Sequence, residues 1–384
     1  STQQQVNLSR KLAIFSLSSG KTFLWTIPLI CFLLILLIPL NKLEMNPTQM
    51  YSEKYTSFGP DVLWLDKKLG ASFPISFKAT SDNGSVSNPR FLEGLDNFSI
   101  WLEEQKEVTH VTSLARTMKS LNKSMHGDDL KMKVIPEDQE LSSQYLFFYE
   151  MSLPMGLDLN TSISQDRGST RIAATLREMT SKEYLIFDEK VAEYLRENNL
   201  ESIISKPAGF RVIFVYLMEA IVNSLLVGVT IGLALIITVI GFFFRSASFG
   251  FLSSFPNILP IVSAFGIWAI IDGQIDFMVA VGMGSTLGII VDFTVHLLSK
   301  YDLARQELKK SPEDAVLFAF EAVGFALIAM TIILALGFSV LHLVSFLPMH
   351  NFAQFSILAF VFALIIDFFL FPNLLVRFDK RKFD

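Results

Sequence analysis

The chain contains few of the residues on which catalytic and metal-binding sites commonly depend. It has one cysteine, Cys31, and five histidines scattered over 384 residues. A disulfide within the chain is therefore excluded, and so is a metal site built from cysteines. No P-loop, nucleophile elbow or HExxH motif occurs. The sequence thus predicts no catalytic residues, no metal ligands and no cofactor, and we expect the protein not to be an enzyme.

Charge is also scarce, with 18% charged residues and a formal net charge of −5. No basic run or aromatic–basic patch indicates nucleic-acid binding. Apolar residues, by contrast, make up 51% of the chain, and 36 phenylalanines stand against 8 tyrosines. This composition is typical of a membrane protein that carries a sizeable soluble part.

Six apolar runs are each long enough to cross a hydrocarbon core of ~30 Å. They cover residues 22–40, 216–244, 249–271, 275–299, 316–343 and 352–376. The polar stretch between the first two has about 170 residues, which suffices for a core of its own. We predict a cytoplasmic N-terminal linker (1–21), a first transmembrane helix (22–40), an extracytoplasmic domain (41–211), a five-helix transmembrane bundle (212–376) and a cytoplasmic tail (377–384).

Basic residues give the orientation, because cytoplasmic flanks of membrane helices are rich in lysine and arginine. With both termini in the cytoplasm, Asp272 and Asp276 fall on the opposite side. The following basic positions then share the cytoplasmic side: Arg10, Lys11, Lys21, Arg245, Lys300, Arg305, Lys309, Lys310, Arg377, Lys380, Arg381 and Lys382.

Residue patterns in the polar stretch predict an α/β domain. Two strand–helix–strand units in one domain favour ferredoxin-like subdomains. The predicted strands are 73–79, 108–112, 170–178 and 201–205, and the predicted helices are 89–105, 113–125, 137–153 and 181–198.

The apolar run 212–244 is longer than a membrane requires. As one helix it would span roughly 50 Å, well beyond the core of ~30 Å. One interpretation is a helix that projects into the soluble domain and acts as a rigid lever. The other is a tilted helix preceded by a short interfacial segment.

Asp292 is an ionisable residue inside the fourth predicted span. Gly284 and Gly288 precede it at four-residue steps, so the three share one helix face. Small residues at this spacing allow another helix to approach closely. We therefore expect the carboxylate in a helix–helix seam, where intramembrane acids typically relay protons or line a pathway. The alternative is a polar residue that caps a neighbouring helix.

Many segments, in order, resemble one half of an RND-superfamily exporter of the MMPL-like, hopanoid-type branch. They are NPRFLEGL, VTHVTSLARTMKSLN, IPEDQELSSQYLFFYEM, FRSASFGFLSSFPNILPI, LGIIVDFTVHLLSKY, GFALIAMTIILALGFSVL and ALIIDFFLFPNLL. The resemblance is strongest to a C-terminal half. It implies a six-helix membrane α-helical bundle with an extracytoplasmic α/β ferredoxin-like porter domain. It also implies a partner: a separate chain, an N-terminal region or a second copy of this chain.

The function implied by the resemblance is export of a hydrophobic or lipid substrate from a bacterial inner membrane. The driving force would be the proton gradient, and a periplasmic carrier protein is a further candidate partner. Two rival functions remain open. One is a lipid-binding, sterol-sensing-like scaffold half that moves no protons. The other is a SecDF-type translocase accessory subunit, whose soluble domain would bind unfolded polypeptide.

The resemblance also assigns roles to individual residues. Asp292 matches the acidic motif of the fourth helix and would carry the proton. Thr331 matches a hydroxyl position that faces the acid, although a membrane threonine more often bonds its own helix. His296, one turn from Asp292, would exchange its proton or lie at the interface. Phe293 stands where family halves often carry an acid or tyrosine, so the relay in this half would be incomplete.

Two further polar positions lie in other spans. Asp367, in the sixth span, matches a recurrent acidic position and would pair with a polar group on a neighbouring helix. Asn257 lies between Pro256 and Pro260 in the third span. Because proline breaks the helical hydrogen-bond ladder, this segment forms either a hinge or a simple kink.

Overall fold

The computed structural model describes residues 2–43, 50, 60, 61, 64, 67, 68, 74–154, 158–177 and 179–379. The chain divides into two compact units. The helical unit comprises Ser1–Met45, Gln49–Tyr55 and Met218–Asp384, and the α/β unit comprises Asn46–Thr48 and Thr56–Leu217. Of the predicted tail, residues 380–384 lie outside the described residues, with the basic positions Lys380, Arg381 and Lys382.

The N-terminal segment of the helical unit is helical almost from its start. Helix α1 (Thr2–Ser18) is followed directly by α2 (Gly20–Ile35), a short 3₁₀ turn (Ile38–Leu40) and strand β1 (Lys42–Leu43). The stretch interpreted as a linker is thus mostly helix. Ser9, Ala13 and Ser16 are fully buried and lie three or four residues apart, so α1 packs through one face of small side chains.

The α/β unit contains a small antiparallel sheet and its helices. In chain order these elements are β2 (Pro74–Thr80), α3 (Pro89–Glu104), β3 (Val108–Thr112), α4 (Leu114–Met125), α5 (Gln139–Ser152), β4 (Ser169–Leu176) and α6 (Ser181–Glu197). Strand β4 lies between β2 and β3 and is antiparallel to both. The bounds of these elements lie within about two residues of the predicted ones, which is the usual accuracy of such boundaries.

The predicted strand 201–205 is wrong. The backbone N–H groups of Ile203 and Ile204 both donate to the carbonyl of Leu200, so the chain turns directly after α6. Single bridges then join Ile204 to Ala79 and Ala208 to Ser76, on the free edge of β2. Pro207, between them, has no N–H to donate to a ladder. The apolar pattern was correct about burial, but the local turn prevents a continuous strand.

The core of the α/β unit forms where α3 and α6 cover the sheet. Asn88 accepts a hydrogen bond from the Phe91 N–H and starts α3. One face of α3 is buried, with its apolar side chains three or four residues apart. The ring of Phe98 on this face packs edge to face on that of Phe77, with the ring centroids 5.2 Å apart. Trp101 stacks on Tyr194 of α6 at 4.2 Å, which joins the two helices.

The remaining elements belong to the helical unit, apart from residues 210–217, which belong to the α/β unit. They are α7 (Phe210–Phe243), α8 (Ala247–Ile271), β5 (Gln274–Ile275), α9 (Phe277–Gln306), α10 (Pro312–Ala319), a first π-helix (Phe320–Gly324), α11 (Phe325–Ser339), α12 (Leu347–Ile365), a second π-helix (Ile366–Leu370) and α13 (Phe371–Phe378). Strand β5 pairs in parallel with β1. Helix α7 is unbroken over 34 residues.

Six helices in the described part of the chain are long and apolar enough to cross a membrane, which confirms the six predicted spans. They are Gly20–Leu40, Phe210–Phe243, Ala247–Ile271, Phe277–Gln306, Pro312–Leu343 and Leu347–Phe378. The main difference is length. Helix α9, for example, continues to Gln306 instead of ending near residue 299, because its last turns pack against other parts of the unit.

Two glycines of α8 permit close contacts with the backbone of neighbouring helices. A Cβ atom at Gly266 would collide with the backbone carbonyl of Leu34 in α2. A Cβ atom at Gly250 would lie 2.7 Å from the carbonyl oxygen of Ile237 and 3.0 Å from the Cα of Gly241, both in α7. Helix α8 is therefore held against two neighbours by positions that accept no side chain.

Candidate functional site

The sequence-predicted stripe on α9, formed by Gly284, Gly288, Asp292 and His296, lies on the outside of the helical unit. No described heavy atom lies within 4 Å of a Cβ built on Gly288, and at Gly284 the nearest atom is a methyl carbon of Leu225 at 3.7 Å. The side chains of Asp292 and His296 are 48% and 55% exposed. Within the described part of this chain, the stripe therefore has no helix packed tightly against it.

Asp292 and His296 contact each other on this exposed stripe. The Nε2 atom of His296 lies 3.4 Å from Oδ1 of Asp292, and the pair carries opposite charges whenever the imidazole is protonated. Phe293, the next residue, is fully buried in the core of the unit. The helix therefore directs Asp292 outward and Phe293 inward.

Thr331 is buried on α11 but bonds to its own helix. Its hydroxyl donates to the carbonyl of Leu327 at 3.0 Å, four residues earlier. This is the usual arrangement for a threonine inside a helix. The structure records no hydrogen bond between Thr331 and Asp292, both of which are described, and does not bring them together as a pair.

Asp367 is the fully buried carboxylate of the helical unit. The Thr294 hydroxyl of α9 lies 3.2 Å from its Oδ1, and the same hydroxyl lies 3.3 Å from Oδ1 of Asn257 in α8. All three side chains have no exposed surface. We call them the Asp367 cluster. Sequence reasoning identified Asp367 and expected a polar neighbour, but it assigned no role to Thr294 and linked Asn257 only to its prolines.

Asp367 lies in the second π-helix, where the pattern of helical backbone hydrogen bonds is irregular. Pro372 lacks an N–H, so the carbonyl of Phe368 loses its ordinary helical donor. The hydroxyl of Ser16 in α1 donates to that carbonyl at 2.7 Å. Asn373 in turn donates to the backbone carbonyl of Ser16 at 3.3 Å. A π-helix at a proline is a common adjustment, and such turns are frequent at functional sites.

Hydrogen bonds at both ends hold α9 in place. At its start, Oδ1 of Asp276 accepts from the N–H groups of Met278 and Val279, each at 2.8 Å, and Asn351 of α12 donates to Oδ2 at 2.9 Å. Burial raises the pKa of Asp276, and these hydrogen bonds oppose that rise. The pKa of Asp272, before this helix, is also raised by burial.

At the other end of α9, a buried acid joins the helix to the end of α13. Oδ2 of Asp379 accepts from the Tyr301 hydroxyl and from Nε of Arg305, both at 2.9 Å. The charged groups of Arg305 and Asp379 are 6% and 1% exposed. Such a pair is costly to break, because either partner alone would be a buried, uncompensated charge.

An apolar cavity of about 420 Å³ opens among α7, α8 and α9 of the helical unit. Its lining is almost wholly aliphatic and aromatic, and Asn41 is the polar residue among the lining side chains. Its lining includes Leu225, Leu233, Ile261, Phe265 and Met283. A cavity of this size and character suits an acyl chain or another hydrophobic group.

Comparison with known proteins agrees with the resemblance seen in the sequence. The sequence profile of the MMPL family matches residues 89–382. A protein of Methanocaldococcus jannaschii, named as a membrane protein, is 29% identical over 154 residues. That match covers 40% of this chain and 39% of the relative, so the chain spans well under two thirds of its length. The RND-type, MMPL-like interpretation is confirmed: the chain belongs to the MMPL family and is a multi-pass membrane protein.

Proposed function

We propose that this chain is one half of an RND-type secondary transporter that exports a hydrophobic or lipid substrate. The observation that carries the proposal is the exposed stripe on α9. The Asp292 side chain is 48% exposed in an apolar span, and contact of its carboxylate with lipid would cost free energy. A second half, or a second copy of this chain, would cover Asp292 and use the flat surface at Gly284 and Gly288 as its contact.

Proton coupling through Asp292 follows from that placement. In the seam between two halves, a carboxylate alternates between a charged and a neutral form, and the two forms favour different helix packing. His296, 3.4 Å away, supplies a second side chain that can accept and release a proton. Thr331 contributes to the same relay only if α11 shifts, since its hydroxyl is bonded to Leu327.

The α/β unit is proposed to be the periplasmic porter domain, with both termini in the cytoplasm of a bacterial cell. The distribution of lysine and arginine supports this orientation. The sheet order supports the ferredoxin-like assignment, because β4 lies between β2 and β3 and the chain returns to the free edge of β2 at Ile204. The proposed domain bounds remain 41–211 for the porter domain and 212–376 for the five-helix bundle.

A lipid substrate is supported by the apolar cavity of about 420 Å³. Helix α7 lines one side of it. With 34 residues α7 extends roughly 50 Å, more than the ~30 Å that a membrane requires. We propose that the extra length transmits movement between bundle and porter domain, and that a periplasmic carrier receives the substrate.

One observation favours a second candidate, a lipid-binding scaffold half. Phe293, at the position where related halves carry a second acid or tyrosine, is a fully buried core residue. A half of this kind would bind lipid in the same cavity and leave proton transfer to its partner.

The deciding experiment is transport, or growth complementation, by Asp292→Asn in the native complex, with membrane abundance measured by immunoblot. Asp302→Asn on the same helix is the matched control and should retain activity. Lost activity at normal abundance supports proton coupling by this half. Full activity of Asp292→Asn would contradict it and favour the scaffold.

A further inference from the structure

The Asp367 cluster brings oxygen atoms from three separate elements together in the bundle. Asp367 lies in the second π-helix, Thr294 in α9 and Asn257 in α8. Each side chain is fully buried. The Oγ1 atom of Thr294 is central, 3.2 Å from Asp367 Oδ1 and 3.3 Å from Asn257 Oδ1. The cluster is separate from the Asp292 stripe, because it lies in the core and the stripe is exposed.

Counting hydrogens shows that the cluster is short of donors. Thr294 has one hydroxyl hydrogen, yet its oxygen has three acceptors in reach, including the carbonyl of Ile290 at 3.5 Å. Asn257 has two amide hydrogens, of which one is on the carbonyl of Ser253 at 2.6 Å; no hydrogen bond from this amide to Asp367 is found among the described residues. Rotating that amide would set two oxygens 2.6 Å apart, so its orientation is fixed by Ser253.

The second carboxylate oxygen of Asp367 is left without a partner. Its Oδ2 atom is buried and forms no hydrogen bond with any of the described residues. Among the described residues, Asp367 also forms no ion pair, although α1, α2, α9, α10 and α13 all carry charged residues. A charged carboxylate in such surroundings is strongly destabilised, because burial removes its hydration and the Thr294 hydroxyl, on Oδ1, replaces only a small part of it.

We propose that the Asp367 cluster binds one monovalent cation, a proton or Na⁺, through its carboxylate, hydroxyl and amide oxygens. Either ion supplies the missing positive charge. A proton would sit on the Asp367 carboxyl and donate to Thr294, whose own hydrogen would then serve Asn257 or Ile290. Sodium would bind the same oxygens directly, since hard cations select carboxylate, hydroxyl and carbonyl ligands.

The site is assembled within this chain. It therefore does not depend on a partner half, nor on whether the protein exports a lipid. The oxygen ligands come from α8, α9 and the second π-helix, so occupancy would hold these three elements together. Loss of the ion would leave the carboxylate charge uncompensated and push them apart.

The test uses the full chain reconstituted in lipid nanodiscs. The first measurement is the infrared difference spectrum of wild type minus Asp367→Asn, in the region of the protonated carboxyl band. Asp302→Asn, which removes a half-buried acid of α9, is the control. The second measurement is the melting temperature of wild type and of Asp367→Asn, each in sodium chloride and in N-methylglucamine chloride. Asparagine keeps the shape of the side chain and brings its own hydrogens, so Asp367→Asn is expected to fold.

A carboxyl band lost in Asp367→Asn but kept in Asp302→Asn identifies the bound ion as a proton. No such band, with a sodium-dependent rise in melting temperature seen only for wild type, identifies it as Na⁺. Thr294→Val provides a second readout, because it should shift the band or reduce the sodium effect. The proposal would be overturned if wild type and Asp367→Asn had the same carboxyl band and the same sodium dependence of the melting temperature.

Discussion

The Nε2 atom of His296 lies 3.4 Å from Oδ1 of Asp292, one turn away on the same helix. About half of each side chain is exposed, at 55% and 48%. An exposed pair at this spacing contributes little to folding, about 0.3–0.5 kcal/mol. The fold of this chain therefore does not explain why both groups are there. The proton exchange proposed above would explain them, with a partner covering the stripe.

We expect His296→Gln to alter the pH dependence of transport and to leave the fold intact. Glutamine keeps a hydrogen-bonding side chain but cannot take up a proton, so the part of the pH profile that depends on the imidazole should disappear. The melting temperature should stay close to that of wild type. The measurements are transport rate against pH and thermal unfolding of the purified protein. An unchanged pH profile would remove His296 from the relay.

Gly266→Ala should destabilise the helical unit, whereas Gly288→Ala should not. The added methyl group at Gly266 collides with the carbonyl of Leu34, and overpacking of this kind costs about 1–3 kcal/mol. At Gly288 the same methyl group meets no described atom within 4 Å. Thermal unfolding of the two variants provides the comparison. Equal destabilisation would mean that the exposed stripe is packed in the isolated chain.

A larger substitution at Gly288 should affect assembly. If a second half docks on the stripe, a larger residue such as leucine at position 288 should weaken the complex while the single chain remains folded. Size-exclusion chromatography with light scattering measures both properties. If Gly288→Leu forms the complex as well as the wild type does, docking at this surface is contradicted.

Asp276 should make the protein less stable as pH rises. Its pKa is raised by burial, so the folded state holds the proton more tightly than the unfolded state. Stability then falls between the unfolded-state pKa of about 3.9 and the raised folded-state value. Asp276→Asn should keep the helix cap, because asparagine is also a good N-cap residue. We expect melting curves of this variant to show less loss of stability over that pH range.

Ser16→Ala should destabilise the second π-helix. The variant removes the hydroxyl that donates to the carbonyl of Phe368 and leaves that buried acceptor without its donor. The expected cost is about 1–3 kcal/mol. Ser18→Ala is the matched control, since the Ser18 hydroxyl is exposed and bonds only to its own helix at Phe15. Amide hydrogen exchange of residues 366–371 should quicken in Ser16→Ala alone.

The sequence was a good guide to elements and a poor guide to contacts between them. Apolar runs predicted the six spans, because length and hydropathy are local properties. Alternation and helical spacing likewise placed β3 and α6 to within about two residues. The strand at 201–205 failed because a turn at Leu200 competes with the same apolar pattern.

Pairing across long distances in the chain could not be read from one sequence. Glycine spacing indicates a flat helix face, but it does not say which helix meets it. Close approaches to a neighbouring backbone occur at Gly250 and Gly266, whereas Gly288 remains open. The contacts of Asp367 with Thr294 join residues 73 positions apart. Such a pairing depends on how the helices are arranged, which a single sequence does not specify.

The second π-helix has a consequence for how this chain tolerates insertions and deletions. A π-turn holds one more residue than an α-turn, so it offsets everything after it by about 100° around the helix axis. That offset determines how far Asp379 is rotated about the helix axis relative to Asp367. In this orientation Asp367 lies in the core and Asp379 contacts Tyr301 and Arg305. Loss of one residue between positions 368 and 378 would rotate Asp379 away from both partners. This segment is therefore fixed in length, even where its side chains are free to vary.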